Sequence, residues 1–314
     1  MGFAVFLPLV LPLTAWPVAR LAERHLHPRA ATLLLTAVGG VLGLSSTLCL
    51  GLLAIVGTAQ LPGNPLPDGW ADPEVRAAVP HDEVVGKAAV GALGAVLASC
   101  TAFLLHRRRT GRQATRALAG LPPRRGIAVL PDAIPYARAL PDGRIVVSTG
   151  MLAGLNSPER RALFAHERAH LVVGHHRHLL LTGLTARANP FLRPLRTSVT
   201  YTVERWADEE AARAVGDRRL TARAVGKAAL LTPSRTLPGP PAPSGAPAFA
   251  APGPVPRRVA ALLGPPPAPR TWPPLCTAVG VAAWAALAGT MISAMASANS
   301  VVTLIVILHA ATPL

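Results

Sequence analysis

Charge is scarce in this chain. Asp, Glu, Lys and Arg make up 15% of its 314 residues, where soluble proteins carry about 25%. The shortage is concentrated in places: none of the four occurs between Arg29 and Asp68, and none follows Arg270. Uncharged apolar stretches of about 20 residues are what a helix needs to cross a hydrocarbon core of roughly 30 Å. The pattern excludes an ordinary water-soluble enzyme and reads as an integral membrane protein. Aromatics are also few, at 4%, so the apolar excess is mostly Ala, Leu and Val. Acids are outnumbered by bases, 15 to 31, for a net charge of +16. The basic residues lack interleaved aromatics or a nucleic-acid module, so no nucleic-acid partner is expected. They fit instead the basic loops found on the cytoplasmic side of membrane proteins. Cysteine is nearly absent. Cys49, Cys100 and Cys276 lie in apolar runs with no CxxC spacing, which excludes a disulfide framework or a thiolate metal site and reads as small buried hydrophobes.

What is there begins with four apolar segments. They lie near Phe3–Ala19, Thr32–Val56 and Ala88–Leu105, with the fourth from about Leu275 onward. That tail has room for one helix plus a short re-entrant or surface piece. No positive charge precedes the first run, so a cleaved signal is not expected. The intervening loops alternate in charge. Arg20, Arg24 and Arg29 follow the first segment; Asp68, Asp72, Glu74, Asp82 and Glu83 outweigh Arg76 after the second; and Arg107, Arg108, Arg109, Arg112, Arg116, Arg124 and Arg125 follow the third. Basic, acidic, basic places the amino terminus outside and residues 106–271 in the cytoplasm.

The expected organisation is three transmembrane helices in 1–105, a cytoplasmic domain in 106–231, a linker in 232–274 and a transmembrane segment in 275–314. Ile127–Leu130, Tyr136–Leu140 and Ile145–Val147 read as short strands, the last two joined through Pro141-Asp142-Gly143 as a hairpin. Residues 157–182, 198–215 and 218–231 read as helices. The linker holds 15 prolines and is expected to be extended, with one possible helical patch at Arg257–Leu263.

Ser157-Pro158-Glu159 opens the first helix, with Ser157 as the expected cap and Glu159 complementing the positive helix end. Within that helix stands His166-Glu167-Arg168-Ala169-His170. Residues four apart share a helical face, so both imidazoles can reach one metal ion, and Glu167 sits where it can hold a water. Chance alone would produce this HExxH pattern roughly 0.008 times in a chain of this composition. A catalytic zinc takes a third protein ligand and keeps one position open. Glu204, in Glu204-Arg205-Trp206-Ala207-Asp208, is the candidate, and Asp208 shares its helical face. Glu209 and Glu210 read as solvated. His175, His176 and His178 read as a polar helix flank, and Tyr201 and Arg213 as candidates for polarising a substrate carbonyl.

Val147-Ser148-Thr149-Gly150-Met151-Leu152, then Ser157-Pro158-Glu159, the HExxH helix and the Glu204…Asp208 segment together resemble the gluzincin membrane peptidases. The closer likeness is to the BlaR/MecR-type family, with the heat-shock and prenyl-protein membrane metalloproteases as neighbours. The resemblance is strong over about residues 120–231 and loose over the spans. It implies a helical membrane protein with a small α+β zincin-like cytoplasmic domain. It implies Zn2+ held by His166, His170 and Glu204, Glu167 as catalytic base, and Asp208 orienting a ligand histidine. It also implies a protein or peptide substrate and a multi-pass place in the cell membrane. BlaR-type sensors carry an extracellular penicillin-binding domain, and no Ser-x-x-Lys motif occurs here, so β-lactam sensing by acylation is not expected. Regulatory cleavage is the expected role. A broad quality-control protease and a non-catalytic sensor or scaffold are the alternatives.

Overall fold

In the computed structural model, the described residues run from 6 to 311, apart from 65, 74, 76–81, 118–125, 141, 233–254 and 269–271. Most of the expected linker lies outside them, as do the first residues of the expected first span, Pro141 of the expected turn, and Glu74, Arg76, Arg124 and Arg125.

Among the described residues, three helices are long and apolar enough to cross a bilayer. The expected first span is not one of them. Its sequence forms helix α1 (Leu7–Val10), a 3-10 turn (Leu11–Thr14) and helix α2 (Ala15–His25). Pro8 and Pro12 each remove a backbone donor from that run, which helps explain the broken helix. Helix α3 (Pro28–Ala59) starts with the His27 ring accepting from Arg29 N and Pro28 in its first turn. With no charge beyond Arg29 in its first turn, α3 is the central post of the molecule. Helix α4 (Asp82–Ala117) crosses it where Gly57 meets Gly86: a Cβ on Gly57 would lie 2.2 Å from the Gly86 carbonyl carbon. Small residues of this kind let apolar helices approach backbone to backbone. Only 6% of the apolar window of α4 is buried, so its outer face suits lipid contact.

The sheet follows. Strands β1 (Ile127–Leu130), β2 (Ala137–Ala139) and β3 (Ile145–Ser148) lie in the order β1-β3-β2. β1 runs parallel to β3 and β2 antiparallel to it. The expected hairpin is therefore present, with Gly143 at φ +89° and its N–H donating to Leu140 O. β2 is a sheet edge.

Helix α5 (Thr149–Gly154) leads into helix α6 (Ser157–Val173). The cap of α6 is Asn156, one residue earlier than expected. Its side chain accepts from Glu159 N while the Glu159 carboxylate accepts from Asn156 N, a reciprocal capping box. The expected continuous helix over 157–182 is interrupted. Gly174 adopts φ +73° and ends α6, and helix α7 (His175–Ala188) begins at the next residue. Only glycine enters that left-handed region without cost. After a turn, helix α8 (Arg193–Val215) runs back and helix α9 (Arg218–Leu231) follows. The start of α8 is five residues earlier than expected.

α7 and α8 pack on α3. Thr32 of α3 donates to Thr202 of α8 at 2.9 Å, and Asn189 at the hairpin tip donates to Ser46 at 3.0 Å. Helix α10 (Val255–Leu263) covers the helical patch expected within the linker. It is an integral piece of the fold, because Leu262 and Arg258 are both buried in it. Helix α11 (Ala278–Ala310) forms the carboxy-terminal apolar segment as one unbroken helix, capped by Thr277. A core of Val147, Met151, Leu163, Ala212, Val225 and Leu262 joins sheet, α6, α8, α9 and α10. Cys49 is buried as expected, whereas Cys276 is exposed.

Candidate metal centre

α6 presents His166 and His170 on the face that packs against α8, and α8 presents Glu204 and Asp208 one turn apart toward them. Both imidazoles, Glu167 and Asp208 are at most 2% exposed, and Glu204 is 6% exposed. His166 Nε2 and His170 Nε2 lie 3.1 Å apart. Glu204 places one oxygen 3.5 Å from His166 Nε2 and the other 3.7 Å from His170 Nε2. Ligand atoms held at about 2.0–2.1 Å around a tetrahedral ion stand about 3.3–3.4 Å apart. Glu204 thus offers one oxygen to each ring, and one ligand atom from each of the three residues lies within 4.8 Å of the other two, close enough to share an ion.

The charges point the same way. Glu167, Glu204 and Asp208 put three carboxylates into one buried cluster, and the guanidinium of Arg258 lies against two of them. Arg258 is 2% exposed. Its Nε and Nη2 donate to Asp208 at 2.8 and 2.7 Å, and its Nη1 lies 3.0 Å from Glu204. Buried charge without compensation is expensive, and a cation held by His166, His170 and Glu204 would compensate part of it. Asp208 Oδ1 also lies 3.1 Å from His166 Nδ1. Burial works against ionisation of Asp208 and Glu204, but the adjacent guanidinium overrides it and holds both carboxyls below their ordinary range. Burial likewise opposes protonation of His166. Asp208 and Glu204 outweigh it and push that ring up to about 9, which supplies part of the missing positive charge when no metal is bound. His170 is lowered well below the usual range by burial, leaving it neutral as a ligand must be.

Glu167 points from the same turn toward the sheet edge, where Ala139 N donates to its Oε2 at 2.6 Å. Strand β2 thus sits beside the glutamate. His175, the first residue of α7, places Nδ1 2.8 Å from His170 Nδ1 and packs on Trp206 with ring centres 4.9 Å apart. It is fully buried, and burial lowers it to about 3. The polar-flank expectation therefore fails for His175. His178 lies 3.2 Å from Thr36 Oγ1, and His176 is half-buried.

Other expectations are also corrected. Glu209 is buried rather than solvated, bonded to Arg218 and 2.9 Å from Arg205. Tyr201 lies under the Arg257 guanidinium at 4.4 Å. Arg213 is exposed and paired with Glu210 at 2.5 Å. Neither Tyr201 nor Arg213 is in the cluster. Arg258 was missed because it sits in a proline-rich stretch expected to be linker. Its one signal was the pair Arg257-Arg258 opening an apolar helical patch.

Residues 106–188 match the model of peptidase family M48. The matched segment holds the sheet, the HExxH helix and α7, and stops short of Glu204, Asp208 and Arg258. No curated protein and no solved structure matches the chain. The match supports a metallopeptidase, a hydrolase of peptide bonds, and the His166, His170 and Glu204 group is one that could hold its metal.

Proposed function

We propose that the chain is a membrane-embedded zinc metalloendopeptidase in which His166, His170 and Glu204 hold the ion and Glu167 is the general base. The observation that carries this reading is the convergence of His166, His170 and Glu204 in a buried cluster, with the two ring nitrogens 3.1 Å apart and a Glu204 oxygen 3.5 and 3.7 Å from each. Bound there, zinc would supply Lewis-acid polarisation of the scissile carbonyl and lower the pKa of a water toward ~7. Glu167 takes a proton from the attacking water and passes it to the leaving amine. Asp208 fixes the orientation of His166 through Nδ1, and Arg258 fixes Asp208 and Glu204 with its planar fork. Among the described residues no strand pairs with the outer edge of β2, which offers backbone groups to an extended peptide beside Glu167.

Three apolar helices of spanning length support a multi-pass membrane protein. Orientation rests on charge: the far end of α4 carries Arg107, Arg108, Arg109, Arg112 and Arg116, while Asp68 and Asp72 sit in the loop before it. The metal centre accordingly faces the cytoplasm, and its substrates are membrane proteins or cytoplasmic proteins brought to the surface. Within the gluzincins the role inferred is regulatory cleavage, by the resemblance of residues 120–231 to the BlaR/MecR-type family. Metal analysis of the purified protein tests the ligand set. About one zinc per chain is expected, lost in His166→Ala and in Glu204→Ala and kept in Glu210→Ala. Retention of zinc by both ligand variants would remove the assignment.

A further inference from the structure

The ring of His170 faces two ways. Its Nε2 looks into the donor cluster, 3.1 Å from His166 Nε2, and its Nδ1 looks at His175 Nδ1, 2.8 Å away. Residues five apart on an unbroken helix stand about 140° apart around its axis, so these two rings could not meet there. They meet because Gly174, at φ +73°, ends one helix and starts another between them. His175 is fully buried, packed on Trp206, and its Nε2 has no hydrogen-bond partner among the described residues.

We propose that His175 is a positioning residue: it accepts a hydrogen bond from His170 Nδ1–H and thereby fixes the His170 tautomer whose Nε2 lone pair faces the metal site. The inference rests on the metal-centre reading above. Two nitrogens at 2.8 Å share a single proton. A neutral imidazole carries one N–H, and a ring that ligates through Nε2 must carry it on Nδ1. His175 Nδ1 is then the acceptor, and its own proton is confined to Nε2. That leaves the His175 proton on the buried Nε2, which has no partner among the described residues. The opposite arrangement, with His175 donating, would put the His170 proton on Nε2 and aim it at the ion. A ligand histidine held through its second nitrogen is oriented before metal arrives, and losing such a partner typically costs 10–100-fold in metal affinity.

The test uses the full-length protein in detergent, stripped of metal, with Zn2+ affinity read by competition against a chromophoric chelator. His175→Phe keeps the bulk and removes the acceptor, and should weaken zinc binding by about 10–100-fold. His175→Asn places an amide oxygen near the position of Nδ1 and should recover most of that loss. A wild type that takes up no zinc overturns the metal-centre reading and this inference with it. A zinc-binding wild type matched by His175→Phe overturns this inference alone. His175→Asn as weak as His175→Phe also overturns it, because mere packing would make both variants alike. Should His175→Phe fail to fold, 15N histidine spectra of the zinc-loaded wild type decide. Protonated His170 Nδ1 with protonated His175 Nε2 upholds the assignment, and an unprotonated His170 Nδ1 overturns it.

Discussion

Replacing Arg258 by Met should destabilise the protein severely, although the residue lies in a stretch that reads as linker. Arg258 makes two charge-assisted bonds to Asp208, at 2.8 and 2.7 Å, and approaches Glu204 at 3.0 Å while 2% exposed. Methionine fills much of the same volume, so the loss is chiefly electrostatic. Asp208 and Glu204 would stay buried with only the His166 ring beside them to balance their charge. Removing one partner of a buried pair costs about 3–5 kcal/mol. At roughly 2–4 °C per kcal/mol for a domain of 150–250 residues, the melting temperature of the metal-free protein should fall by about 6–20 °C. Pairing the change with Asp208→Asn removes one stranded carboxylate, so Arg258→Met/Asp208→Asn should melt higher than Arg258→Met alone. Arg258→Lys, which keeps the charge but not the fork, should fall between wild type and Arg258→Met. Differential scanning fluorimetry of the four proteins after chelation measures this directly. An Arg258→Met melting temperature within a degree of wild type, or no recovery in the double variant, would refute the clamp and return α10 to the status of a spacer.

Three further outcomes follow from other parts of the structure. Asn156→Ala breaks the capping box of α6 and should cost about 0.5–2 kcal/mol, read by thermal melting. Glu159 shares that box: burial raises its carboxyl, but the Asn156 backbone N–H and Lys227 outweigh it and hold it below the ordinary range. A depressed carboxyl contributes stability above its unfolded pKa, and loses it as pH falls through the folded one. Stability should therefore drop on acidification below about pH 4.5, more steeply in wild type than in Glu159→Gln. Finally, Thr115→Cys in a background without Cys49, Cys100 and Cys276 should resist an impermeant thiol reagent added to intact cells and react after lysis. Labelling from outside would reverse the orientation.

Much of the centre is legible in the sequence because its signals are local. His166, Glu167 and His170 meet through helical spacing alone, and Glu204 and Asp208 share a face by the same rule. What was not legible depends on chain reversal or on contacts distant in sequence. Gly174 is a tolerated residue in a helical pattern, and nothing local announces that it takes positive φ. The single helix expected over 157–182 therefore hid the meeting of His175 with His170. Arg258 is 50 residues from Asp208, across a proline-rich stretch, and no periodicity connects them. Glu209 reads as solvated until Arg205 and Arg218 are seen to close around it. The first apolar segment was legible in composition but not in form, because Pro8 and Pro12 divide its helix.

The central claim is that Glu167 acts as base beside a metal held by His166, His170 and Glu204. Glu167→Gln is nearly isosteric and should keep the fold and the zinc, but its amide cannot take a proton from water. General acid–base groups contribute about 10²–10⁴-fold in rate. Zinc content and cleavage of a casein or self-cleavage reporter, measured on the same preparation, should show full metal occupancy with activity reduced at least a hundredfold. Full occupancy with an unchanged rate would contradict the account.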